Sequence, residues 1–254
     1  MIRGVWGRAL KHLDSDLYEK VFVGVVPGGH NLPRYIMRPA PPDPDTAPAL
    51  DWILFNVQQS HEKPLWRGWD IASGMGLGSI REPFGIRRRV FLAPDNVPPS
   101  WNSWNLAEVD WPLKGDPCIT PAILRFEVPL RLIRQRRLVA TPGFSDIVLA
   151  ALRRISALAG LGRSDQYRDL VRAVRAEAAK IDANAWTGER CNLVRWSAAQ
   201  QREVELFGIT GSIPLPHGPG FLWPLLAAAQ WSHIGKGTVF GMGEIRILPY
   251  SIAN

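Results

Sequence analysis

The sequence has few cysteines, few lysines and no long apolar runs. Cys118 and Cys191 are its only cysteines, so neither a disulfide framework nor a cysteine-rich zinc site can be built. No apolar run approaches the roughly 18 residues that a membrane-spanning helix needs. The stretch before Lys11, His12 and Asp14 lacks the apolar core of a secretory signal. A reducing cytoplasm is the expected setting. Six of the 30 basic residues are Lys, which leaves 24 Arg against 23 acidic residues and a net charge of +7. Guanidinium holds phosphate bidentately and stacks on bases, so this excess fits a phosphate-rich partner. A GC-rich genome produces the same bias, and composition alone does not separate the two.

The chain of 254 residues is 46% hydrophobic, enough for one large domain or two small ones. Its 23 Gly and 22 Pro argue for many turns and against a helical bundle. Apolar residues at Ile2, Val5, Trp6, Ala9, Leu10 and Leu13 have helical spacing. Residues 21–26 read as a strand, 35–37 as a short extended piece, 50–57 as a strand, and a helix follows toward Ala72. A glycine-rich segment at 74–78 precedes a basic strand at 87–92. Residues 94–121, rich in Pro, Trp and Asn, read as a linker. The second half reads as a strand at 123–128, a basic loop at 131–137, helices at 144–161 and 166–181, strands at 191–196 and 203–213, a helix at 221–232, a glycine loop at 235–243 and a closing strand at 244–248. Ser145 or Thr141 is the expected cap of the first of these helices.

This order is βαββαβ with one added helix, and the first half has a similar rhythm. The expected fold is α+β, two tandem ferredoxin-like (RRM-like) units. The expected boundaries are 1–95, a linker at 96–120, and 121–254. The first helix starts near residue 2, which leaves almost no room for the first strand of the N-terminal unit.

Gly235-Lys-Gly-Thr-Val-Phe-Gly-Met-Gly243 is the most informative stretch. Four glycines in nine residues expose N–H groups that approach phosphate closely, and Lys236 adds a cation. It is not a P-loop, because no Gly-Lys-Ser/Thr ending follows four spacers. It is not a dinucleotide fingerprint, because it lies between a helix and a strand. A bland tight connection would use the same glycines.

Trp231-Ser-His-Ile followed by this loop resembles the C-terminal signature of the CRISPR-associated repeat-processing endoribonucleases, of the RAMP superfamily. Five further pieces, in order, resemble the same family: residues 3–10; Pro33-Arg-Tyr-Ile-Met-Arg-Pro39 with Leu54, Phe55 and 74–78; Leu124-Arg-Phe-Glu-Val-Pro-Leu-Arg-Leu132; Arg195-Trp-Ser-Ala-Ala-Gln200; and Leu206-Phe-Gly-Ile-Thr-Gly-Ser212. Val128 stands where a Thr is more usual.

The resemblance implies metal-independent cleavage of CRISPR repeat RNA, as part of antiviral defence, with no cofactor. The upstream 2′-OH attacks the phosphate, and a 2′,3′-cyclic phosphate and a 5′-OH result, the product staying bound. Such chemistry needs a base, an acid and cations. Of His12, His30, His61, His217 and His233, the expected catalytic ones are His30 and His233, with Lys236. The family does not share one constellation, so the resemblance does not select them. Expected RNA contacts are Arg34, Tyr35, Arg38, Arg81, Arg87, Arg88, Arg89, Arg125, Arg131, Arg134, Arg136 and Arg137, with Gly235, Gly237 and Thr238 in the loop. The alternative is a RAMP subunit of an effector complex that holds the repeat-derived end without cutting. Partners under either reading are the repeat hairpin and other effector subunits, and no membrane.

Overall fold

In a computed structural model, the described residues are 2–24, 31–39, 49–78, 80–86, 105–162, 164–197 and 202–250. The protein is α+β and divides into two units. One comprises Met1–Met37, Leu50–Trp104 and Arg195–Val204, the other Arg38–Ala49, Asn105–Val194 and Glu205–Asn254. No described helix is long and apolar enough to cross a membrane.

Unit 1 is organised around one indole. Helix α1 (Ile2–Leu13) buries Val5, Trp6, Ala9 and Leu10 and leaves Arg8, Lys11 and His12 in solvent, the amphipathic stripe that its spacing predicts. Trp6 is fully buried. It stacks on Trp69 of α3 (Glu62–Met75) with centroids 5.7 Å apart and meets Trp52 and Tyr35 edge-on at 5.1 and 5.5 Å. Trp52 lies on β2 (Leu50–Leu54), which pairs with β1 (Tyr35–Pro39). Such offset and edge contacts add to the large area each ring buries. Gly7 is what lets Phe22 close on this cluster, because a Cβ there would lie 2.4 Å from the Phe22 ring.

The strand expected at 21–26 is helical as far as it is described. Asp14 accepts from the Leu17 N–H at 2.9 Å and starts α2 (Ser15–Leu17), which continues as a π-helical turn, Tyr18–Val23. Tyr18 stacks on Phe22 at 4.9 Å, a helical i,i+4 pair that outweighs the β-branched propensity of Val21 and Val23. Among the described residues unit 1 has one two-stranded sheet, so four ferredoxin-like strands there remain an expectation. The basic strand expected at 87–92 lies outside the described residues.

Unit 2 carries a four-stranded sheet of order β6 (Thr187–Ser197), β7 (Arg202–Leu215), β3 (Ala122–Leu130), β8 (Arg246–Pro249). That is second, third, first, fourth in chain order, the ferredoxin-like arrangement. On β3, Leu124 faces the core opposite Ile213 and Ile247, while Arg125 faces away opposite Ser212 and Arg246. The register slips between Phe126 and Leu130, where two extra residues of β3 oppose β7. Pro129 lies in this bulge, as expected of a residue with no N–H to give a ladder. Gly208 faces it, and a Cβ at 208 would lie 2.8 Å from Pro129 Cβ.

Helix α4 (Phe144–Leu158) is buried along Phe144, Ile147, Val148, Ala151 and Leu152. Its cap is Gly143, not Ser145 or Thr141. The Asp146 carboxylate, at the third helical position, reaches back and accepts the Gly143 N–H at 3.1 Å, the half of a capping box that needs no side chain at the cap itself. Helix α5 (Asp165–Ala178) buries only Ala178 and carries exposed Asp169–Arg172 and Asp165–Arg168 pairs. Helix α6 (Trp223–Ser232) is apolar nearly all round and buries Leu226, Ala227, Ala228, Ala229 and Ser232. The basic loop expected at 131–137 is a small hairpin, β4 (Ile133–Arg134) and β5 (Arg137–Leu138). In the stretch read as linker, residues 105–121 hold a capped 3-10 turn, Leu106–Glu108, and a buried Trp111.

Removing the central indole tests the account of unit 1. Trp6→Ala is expected to cost about 3–5 kcal/mol, read as a lower urea midpoint at unchanged slope.

Candidate functional site

The glycine loop folds back onto the bulged end of β3. The Lys236 N–H donates to Arg131 O at 2.9 Å and the Gly243 N–H to Pro129 O at 3.0 Å. The bulge leaves these carbonyls to the loop. The Ile234 N–H closes it on Gly243 O at 3.0 Å, and a 3-10 turn, Thr238–Phe240, forms inside. Gly235, Gly237, Gly241 and Gly243 all have φ between 71° and 85°. Gly235 and Gly243 are also held close to backbone. A Cβ would lie 2.6 Å from Arg131 O at the first and 1.9 Å from Ile234 O at the second. The loop's shape therefore requires glycine. The N–H groups of Gly235 and Gly237 reach no backbone acceptor among the described residues. Lys236 is exposed between them, and Thr238 is buried.

His233 sits where α6 ends. Its φ of 51° turns the chain out of the helix, and its ring is fully buried. Nε2 lies 3.4 Å from Arg38 Nη1, and Nδ1 lies 3.3 Å from Met242 O. A guanidinium only donates, so Nε2 accepts and Nδ1 carries the proton toward Met242 O. Burial, then the charge of Arg38 and more weakly that of Arg154, push the His233 pKa down to about 3. Arg154 is itself buried on α4, donates from Nε to Ser232 O at 3.2 Å, and is lowered to about 10 by that burial. It places a cation at the C-terminal end of α6, where the helix dipole favours one. Arg38 is also held by Glu244 Oε1 at 2.5 Å. A neutral ring with no exposure does not reach a phosphate, so the acid–base role expected of His233 has no geometric support.

The other expected site residues divide by environment. Tyr35 is fully buried in the aromatic cluster, receives a 2.5 Å hydrogen bond from Arg3 Nε, and has its pKa pushed up to about 12, chiefly by burial. It offers no surface to RNA. Arg34 is half-buried, its N–H bonded to Val21 O and its carbonyl accepting from Phe55. Arg81 is exposed. Arg125 is exposed beside Glu127 at 3.5 Å, and Arg246 reaches Glu127 at 2.7 Å. Arg131 is half-buried, with Nε inside and no hydrogen-bond partner for it among the described residues. Arg134 pairs with Asp146 at 3.1 Å, while Arg136 and Arg137 are exposed. His30, Arg87, Arg88 and Arg89 lie outside the described residues. Sequence reasoning missed Arg154 and the Glu244–Arg38 pair. An arginine within the apolar stripe of α4 was the available signal for the first.

Residues 124–245 match the family described as CRISPR-associated endoribonuclease Cas6, a stretch running from β3 to the end of the glycine loop. That stretch, just under half of the chain, is similar to the Cas6 family. Members of that family are CRISPR-associated endoribonucleases. No curated protein matches the chain by sequence. Among solved structures, a Cas6 product complex is similar over 97% of this chain and 92% of that chain, at 18% identity and a TM-score of 0.62. A product complex of a second Cas6 covers 97% and 91%, at 17% identity and 0.55. A Thermus thermophilus Cas6 covers 97% and 89%, at 16% and 0.50. At these identities the likeness is one of fold.

Two outcomes test the site's physics. His233 is neutral when folded and free to charge when unfolded. The stability it confers is fully present above the ordinary pKa of 6.5 and is lost as pH falls toward about 3. The loss is at most about 1.4 kcal/mol per pH unit, and urea titrations at pH 7 and pH 5 should show a shallower dependence in His233→Gln. Gly243→Ala is expected to cost on the order of 3 kcal/mol, measured the same way.

Proposed function

We propose that the protein cleaves CRISPR repeat RNA without metal, by attack of the 2′-OH on the adjacent phosphate. The O–P bond forms as the bond to the 5′ oxygen breaks, leaving a 2′,3′-cyclic phosphate and a 5′-OH. The observation that carries this reading is the pinned glycine loop, inside the stretch that matches the family, with exposed Lys236 between two N–H groups that reach no backbone acceptor among the described residues. Lys236 and the N–H groups of Gly235 and Gly237 stabilise the charge that develops on the phosphate. His30 remains the candidate for proton transfer, on sequence grounds. The cut RNA stays bound, and the setting is the cytoplasm.

The burial of His233 favours a second reading. With that ring removed from the acid–base pool, the same loop serves a subunit that grips the repeat-derived end within an effector assembly and cuts nothing.

Labelled repeat RNA incubated with the protein in EDTA separates the two. Site-specific cleavage to a cyclic phosphate is expected, abolished by 2′-deoxy substitution at the attacking nucleotide. Lys236→Ala should slow single-turnover cleavage by about 10²-fold with a smaller change in binding. Tight hairpin-dependent binding with no product would establish the second reading.

A further inference from the structure

The hairpin of β4 and β5 is built on an unfavourable turn. Ile133 pairs with Leu138 and Arg134 with Arg137, so Gln135 and Arg136 form a two-residue connection. Both have positive φ, 50° and 63°. Two-residue hairpins of this geometry ordinarily use Asn-Gly or Asp-Gly, because a side chain crowds the backbone in the left-handed region. This chain keeps two long polar side chains there.

The neighbours show which side chain the turn is shaped to present. Arg134 is committed to Asp146, which in turn caps α4 through the Gly143 N–H, so it braces the hairpin against a helix. Arg136 and Arg137 are exposed and have no ion pair among the described residues. Beside the turn lies a recess of about 300 Å³ lined by Arg134, Gln135, Arg137 and Thr141, among others. The hairpin itself, residues 133–138, carries no aromatic side chain. A strained, cationic projection of this kind suits an anion held from outside, and the anionic groups of an RNA are its backbone phosphates.

We propose that Arg136 at the tip of this hairpin contacts the phosphate backbone of the bound RNA, and that the turn keeps an arginine in a strained position for that contact. The inference rests on the RNA-processing reading above and assigns a position on the protein to part of the RNA. Because it touches phosphate, the contact carries no base selectivity of its own.

Two glycine substitutions separate strain from charge. Gln135→Gly relieves the turn and keeps the guanidinium, whereas Arg136→Gly relieves the turn and removes it. Each should raise Tm by about 2–4 °C. Affinity for the repeat hairpin is then measured across a range of KCl. Gln135→Gly should bind as the parent does. Arg136→Gly should bind several-fold more weakly, with a log–log salt slope shallower by about one, and by the same factor on a stem whose base pairs are exchanged. Parental affinity and slope in Arg136→Gly would overturn the contact. A loss confined to one stem sequence would overturn its assignment to phosphate, and an unchanged Tm in both variants would overturn the strain. A parent that prefers no repeat over scrambled RNA would overturn the proposed function and this inference with it, a result visible before any variant is made.

Discussion

The absence of an N–H on Pro129 organises the functional end of unit 2. A proline inside a strand cannot complete the ladder, so β3 bulges away from β7 and the register slips by two residues. Gly208 makes room for the proline ring. Past the bulge, the carbonyls of Pro129 and Arg131 accept from the glycine loop. The loop must lie close against backbone to receive these bonds, and this dictates glycine at 235 and 243. Two sequence features more than 70 residues apart along the chain are thus parts of one joint.

That joint also accounts for the state of His233. The loop returns Met242 to the end of α6, and its carbonyl takes the Nδ1 proton, while the other nitrogen faces a guanidinium. An imidazole in contact with one guanidinium, within the field of a second and removed from water, has every reason to stay neutral. It works as a fixed acceptor, positioning Arg38 together with Glu244. Charge in unit 2 is sorted accordingly. Arg38, Arg125, Arg134 and Arg246 are matched to carboxylates, whereas Lys236, Arg136 and Arg137 face solvent with no ion pair among the described residues. The excess of basic residues matters at the second group.

Much of this was legible in the sequence where one pattern dominates. The spacing of Trp6, Ala9 and Leu10, the alternation at 123–128 and the long helical stripe after Phe144 each reflect a single face turned inward. The glycine loop was legible for a related reason, since few structures tolerate four glycines in nine residues by accident. What failed was governed by longer-range contacts. Val21 and Val23 have strand propensity, yet ring stacking between Tyr18 and Phe22 and the cap at Asp14 hold that stretch helical. Tyr35 and His233 carry functional chemistry in their side chains, and nothing local announces that tertiary packing hides both. The cap of α4 was misplaced because its carboxylate acts from the third helical position backwards.

The aromatic cluster of unit 1 has an optical consequence. Four tryptophan pairs there, Trp6 with Trp52 and Trp69 and Trp52 with Trp66 and Trp69, have ring centroids between 5.1 and 5.7 Å apart. At such spacings the indole transitions couple, and the fixed, asymmetric arrangement gives them a shared circular dichroism in the near ultraviolet. That signal exists only while α1, α3 and β2 are docked, so the N-terminal unit carries its own spectroscopic marker of integrity.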